Sequence, residues 1–143
     1  MHICIHFYRA KPDDQDNAED VLRRLPPSVS WKFEKVRKEG DHLLLVLQSR
    51  DQQNLMRKYG NEICLLDATY RTTKYDLPLF FVVVKSNTVY QVVASFIVSE
   101  ETSEQISAAL NVLKEWNPSW SPANWMTDCC RSEMNALESK FPG

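Results

Sequence analysis

Ile63-Cys64-Leu65-Leu66-Asp67 and Asn124-Trp125-Met126-Thr127-Asp128 are two short apolar runs, each closed by an aspartate. Between them lie two strand-like runs and one amphipathic helix. A helical crossover returns a chain parallel to a strand of the same sheet. The order therefore places Asp67 and Asp128 at the same end of neighbouring parallel strands. Two carboxylates held side by side repel each other unless a cation sits between them. A divalent ion held this way is a recurrent device for cutting and joining phosphodiester bonds.

The segments around these runs have consistent periodicity. Ile63 to Thr72 reads as a strand and Lys74 to Asp76 as a turn. Leu79 to Lys85 is almost continuously apolar, which predicts a central strand buried on both faces. Val89 to Val98 is a third strand, and the three form an antiparallel meander. Thr102-Ser103-Glu104-Gln105 has the form of a capping box. Ile106, Ala109, Leu110 and Leu113 then share one helical face, and Asn117-Pro118 stops the helix. Trp125 to Asp128 is a short strand. Ser132 to Phe141 is a final helix expected to turn Met134, Leu137 and Phe141 inward. The order β-β-β-α-β-α predicts an α/β fold, the opening of a ribonuclease H-like mixed sheet flanked by helices. Its strand order would be 3-2-1-4, with the fifth strand missing.

Residues 1–60 read as an N-terminal α+β extension to a truncated domain over 61–143. His2 to Tyr8 is a candidate strand and Asp14 to Arg24 a helix ended by Pro26-Pro27. Trp31 to Arg37 and Leu43 to Leu47 form a hairpin about Gly40-Asp41. Ser49 caps a helix over Arg50 to Tyr59, with Gly60 just past its end.

Composition excludes several classes. No apolar run approaches the roughly 20 residues that span a bilayer. Met1 to Arg9 lacks the form of a secretory signal. Residues 1–60 carry 11 Lys/Arg against 9 Asp/Glu, and residues 61–143 carry 6 against 10. No basic stripe suited to autonomous DNA binding stands out. Cys4, Cys64, Cys129 and Cys130 show no CxxC spacing, and with His2, His6 and His42 they show no zinc-ligand spacing. Reduced, intracellular thiols are the expectation. Nucleotide loops, a nucleophile elbow and the HExxH motif are absent.

Other residues invite a functional reading beside a plainer one. Thr69 and Tyr70 would position substrate, or simply fit a pleated strand. Arg71 and Lys74 would touch a nucleic-acid backbone, or be solvated hairpin charges. Trp116, Trp120 and Trp125 would stack bases, or bury against the sheet. Cys129-Cys130 would be reactive at a helix start, or pack as small apolar residues. In each of these the plainer reading is favoured, and His6 and His42 show no catalytic partner.

The run Asp67-Ala68-Thr69-Tyr70-Arg71-Thr72-Thr73-Lys74-Tyr75-Asp76-Leu77-Pro78-Leu79 resembles the first-aspartate motif of MULE-type transposase domains. It is more similar still to the RNase H-like domain of SWIM-type zinc-finger proteins. Ser99-Glu100-Glu101-Thr102, Ala109-Leu110 with Trp116-Asn117-Pro118, Met126-Thr127-Asp128, and Ala136-Leu137 with Phe141-Pro142 continue the pattern in order. Lys58-Tyr59-Gly60-Asn61 fits upstream. The resemblance covers residues 42–143 well and the first 40 weakly.

This resemblance implies a DDE-type site in which Asp67 and Asp128 are the first and second acids and the ligands of Mg²⁺ or Mn²⁺. The third acid and the Cys/His finger of such proteins would follow Gly143. The chain thus reads as a fragment or decayed copy, inactive by itself, with DNA cleavage and strand transfer as its ancestral chemistry. Glu133 is expected on an exposed helix face and is not taken as a substitute third acid. The resemblance also implies nuclear localisation. DNA is a candidate partner without a strong basic patch, protein partners are candidates too, and no membrane association is expected. The rival reading is a non-catalytic nuclear protein-interaction module of a SWIM zinc-finger protein.

Overall fold

Residue alternation along three central strands builds the molecule's sheet and decides which face the helices cover. A computed structural model describes residues 12–69, 77–127 and 131–141. In chain order its elements are α1 (Pro12–Arg23), β1 (Val29–Glu34), β2 (Leu44–Ser49), α2 (Arg50–Tyr59) and β3 (Ile63–Thr69). β4 (Leu79–Lys85), β5 (Tyr90–Val98), α3 (Ser103–Trp116), β6 (Asn124–Met126) and α4 (Arg131–Lys140) follow. The expected strand at His2 to Tyr8 and the turn at Lys74 to Asp76 lie outside the described residues.

One sheet contains all six strands, in the order β1-β2-β5-β4-β3-β6. β3, β4 and β5 form the expected antiparallel meander. β6 returns through α3 and pairs parallel to β3. The run β5-β4-β3-β6 is the 3-2-1-4 order of a ribonuclease H-like sheet. The β1–β2 hairpin extends that sheet, because β2 pairs antiparallel with β5. A continuous ladder therefore joins residues before and after position 60.

One face of the sheet carries the main core. Phe80, Val82 and Val84 of β4 and Phe96 and Val98 of β5 meet Met56 of α2. Ile106, Ala109, Leu110 and Leu113 of α3 join them, with Ala136 and Leu137 of α4. Phe80 and Phe96 stack with centroids 4.8 Å apart. The opposite face is covered at one end by α1, whose Ala18 packs with Leu43, Phe33, Val36, Leu77 and Ile97. The α1 helix is tied down by Gln15, which donates to the Val36 carbonyl and accepts from the Val36 amide.

β4 departs from expectation. Its Phe80, Val82 and Val84 are fully buried, but Leu79, Phe81 and Val83 are half-buried. The three core helices lie on one face, and α1 reaches only part of the other. α4 departs as well. Met134 is exposed, while Glu133, Ala136 and Leu137 are buried. Leu137 is buried and Phe141 packs against the core as expected, so only the first turn departs, with Glu133 inward in place of Met134.

Local signals set the helix ends. Ser49 and Gln52 form a complete capping box at α2. At α3, Thr102 accepts from the Gln105 amide as expected. The Gln105 side chain reaches past the cap residue and accepts from the Glu100 amide. Gly60 stays right-handed, and its N–H donates to the Met56 carbonyl. A Cβ there would overlap that carbonyl oxygen, so close approach is the reason for glycine.

A bulge at Val93 interrupts the β4–β5 ladder, leaving Val93 and Ala94 both buried. Buried Gln48 donates to the Val93 carbonyl at 2.8 Å and accepts from Asn117 Nδ2 at 2.8 Å. Asn117 Nδ2 also donates to the Leu113 carbonyl. This network ties β2, the bulge and the end of α3 together, as buried polar groups require.

Candidate functional site

Asp67 owes its position to strand alternation. Cys64 and Leu66 point into the helix-side core, so Leu65 and Asp67 lie on the other face of β3. The Asp67 side chain is exposed, and Phe81 is its neighbour across the β4 ladder. The parallel pairing with β6 runs Ile63↔Asn124, Cys64↔Trp125, Leu65↔Met126. Asp67 thus stands two residues past the last of these pairs. Asp128 is two residues past Met126 in sequence, and it lies outside the described residues. So do Tyr70, Arg71, Lys74, Cys129, Cys130 and His6. Among the described residues, no three His, Cys, Asp or Glu side chains gather as a metal-binding group.

Glu133 corrects an expectation. Its side chain is fully buried rather than exposed, and its Oε2 accepts a 2.6 Å hydrogen bond from Thr127 Oγ1. A buried carboxylate needs such donors, because water no longer solvates it. The bond links the residue after β6 to the first turn of α4. Sequence spacing could not show this, since a glutamate in a first helical turn is ordinarily a solvated residue favoured by the helix dipole.

β6 is anchored by aromatic packing. Trp120 lies edge-on to Trp125 and to Phe141, with centroids 5.6 and 5.0 Å apart. Trp125 and Phe141 are 5.3 Å apart. Lys114 caps the group, with Nζ 4.8 Å from the Phe141 centroid and bonded to the Lys140 carbonyl. Trp120 is buried, and Trp116 and Trp125 pack against the core half-buried. The three tryptophans serve packing. Thr69 is likewise structural, since its hydroxyl donates to the Leu79 carbonyl across the ladder.

Cys64 sits beneath this cluster, and its thiol donates to the Gly60 carbonyl. Burial pushes the thiol up from 9.0 to about 11, opposed only in part by Trp120. The raised value has a stability consequence. The contribution is complete below about pH 9 and is lost as pH rises through about 11. Two units correspond to about 2.7 kcal/mol. Urea unfolding between pH 8 and 11 is expected to show wild-type stability falling more steeply than that of Cys64→Ala. Parallel curves would contradict the burial effect.

Residues 30–143 match the family described as the RNaseH-like domain of zinc finger SWIM domain-containing protein 1/3. The chain belongs to this family. The match begins within β1, so the family domain includes the β1–β2 hairpin as well as the meander and its crossover. The six-stranded mixed sheet flanked by helices is consistent with the RNase H-like fold that the family's name gives. No significant match appears among curated proteins or solved structures. Within the described residues, no helix is long and apolar enough to cross a membrane.

Sequence reasoning missed a second cluster, where the segment before β2 meets the start of α3. His42 Nδ1 lies 3.1 Å from Gln105 Nε2. Because Gln105 Oε1 accepts from the Glu100 amide, its NH₂ faces His42. The bonding pattern makes Nδ1 the acceptor and leaves the neutral ring's proton on Nε2. The two residues are 63 positions apart, and no local pattern signals their meeting.

Proposed function

We propose that this RNase H-like domain derives from a MULE-type transposase, and that Asp67 and Asp128 are what remains of a DDE-type metal site. The observation that carries the reading is the parallel pairing of β3 with β6. Asp67 and Asp128 stand at equal sequence offsets beyond the Leu65↔Met126 pair. Neighbouring parallel strands lie about 4.8 Å apart, a spacing at which two carboxylates can share one Mg²⁺ or Mn²⁺. In the ancestral chemistry such ions activate the attacking hydroxyl and stabilise the leaving oxygen on DNA. Residues 1–143 supply two of the three acids, and Glu133 is already engaged by Thr127. The 143-residue chain is therefore read as inactive in cleavage by itself.

Mn²⁺ titration followed by electron paramagnetic resonance tests the site. Asp67→Ala combined with Asp128→Ala is expected to weaken Mn²⁺ binding about tenfold or more. Asp67 is exposed, so the fold should survive its replacement. Unchanged binding in the double variant would remove the metal-site reading. Cleavage of supercoiled DNA by the 143-residue chain, lost in the same variant, would overturn the inactivity.

A second reading, a non-catalytic nuclear protein-interaction module, is favoured by a separate observation. Val89, Tyr90, Val92 and Met126 are large apolar side chains left exposed on the strands and their connections. Exposed apolar residues grouped together mark interaction surfaces. That reading needs neither aspartate, so a partner retained by the double variant would support it.

A further inference from the structure

A cavity of about 370 Å³ lies between the β1–β2 hairpin, the end of β5 and the start of α3. Leu43, Leu44 and Val98, all buried, form its apolar floor. Its wall is held by bonds from several segments. Buried Gln105 bridges the Glu100 amide and His42, and the Leu43 amide donates to Ser99 Oγ. Glu34, Glu100 and Glu104 stand exposed around the mouth, and among the described residues no lysine or arginine lines it. Lys32 pairs at 3.7 Å with the rim's own Glu34, which leaves Glu100 and Glu104 as the carboxylates for a ligand, and Lys35 is held by Asp16 and Glu19.

We propose that this cavity receives a lysine or arginine side chain from a basic peptide segment of a partner protein. The argument is one of shape and charge together. An apolar floor beneath a charged rim suits a side chain with an aliphatic stem and a cationic tip. Glu100 and Glu104, with Glu34 shared with Lys32, fix the sign of that tip and disfavour acidic partners. The volume lies at the small end of ligand pockets, about 300–1,000 Å³, which fits one or two side chains and not a helix. Hydrogen bonds that already hold Gln105 and Leu43 keep the walls in place before binding, so little ordering cost remains. The cavity lies at the same end of the sheet as Asp67, because Thr69 pairs with Leu79, Leu79 with Ile97 and Ile97 with Leu45, but Asp67 does not line it.

The test uses the full chain and short fluorescein-labelled peptides of alternating alanine with lysine, arginine or glutamate. Fluorescence polarisation is expected to show binding of the lysine and arginine peptides and none of the glutamate peptide. Their relative affinities distinguish the two cations. Glu100→Gln with Glu104→Gln should weaken binding about five- to tenfold. Glu115→Gln with Glu138→Gln makes the same charge change at exposed sites outside the cavity lining, and should leave binding unchanged. Ala108→Trp, at an exposed helical position on the rim, should block the cavity and abolish binding. The proposal fails if neither basic peptide binds, or if both charge-changed variants lose affinity equally. It also fails if Ala108→Trp binds normally. Sedimentation showing a dimer that dissociates in the Glu100/Glu104 variant would replace the peptide with a second copy of this chain.

Discussion

Replacing Phe80 with alanine is expected to lower stability by about 3–5 kcal/mol. Phe80 is fully buried at the middle of the sheet, on the strand that pairs with both β3 and β5. Its ring stacks on Phe96 of β5 at 4.8 Å, and helices close the core above. Alanine removes the buried apolar area and leaves a cavity, since the ladders on both sides hold the backbone in place. Equilibrium urea unfolding followed by circular dichroism measures the loss. Phe80→Leu keeps most of the volume and should lose clearly less. A loss below about 1 kcal/mol for alanine would mean that the sheet does not present this face to the helices.

Trp120→Ala is expected to cost a similar amount, about 3–5 kcal/mol, but with a local signature. Trp120 is 2% exposed and links three parts of the molecule. It touches Trp125 on β6 and Phe141 beyond α4, and it lies beside Cys64 on β3. β6 itself has three residues and, among the described residues, pairs only with β3. Its attachment therefore depends more on this packing than on its ladder. Hydrogen exchange is expected to quicken first at amides of β6 and α4, before the meander loosens. Trp120→Phe should retain part of the protection. Uniform loss of protection across the sheet would instead show that β6 is no separate unit. Because β6 and β3 are the strands that precede Asp128 and carry Asp67, the same variant should also weaken Mn²⁺ binding under the proposed metal-site reading.

Much of the fold was legible because its signals are local or strictly periodic. The apolar runs of β4 and β5, the Thr102 cap and the α3 face all carry their information within about ten residues. The parallel return of β6 followed from a topological rule about helical crossovers. What failed was information about coverage. The almost unbroken apolar run in β4 predicted burial on both faces, but coverage depends on where distant helices settle. Met134 and Glu133 exchanged their expected places for the same reason. Hydropathy ranks the methionine inward, but the fold buries Glu133 instead, with Thr127 donating to its Oε2.

Sequence alone determined the order of elements from Asp14 onward, the antiparallel meander with its parallel return, and the position of Asp67 near the end of β3. These follow from periods of 2 and 3.6 residues and from caps that act over a single turn. Tertiary structure alone decided three further things: that the β1–β2 hairpin joins the sheet through β5, that Glu133 is buried against Thr127, and that His42 meets Gln105 above an acid-rimmed cavity. Each of these joins side chains or strands from separate segments. Their energies depend on desolvation and on partners supplied by other elements, so no stretch of sequence encodes them by itself.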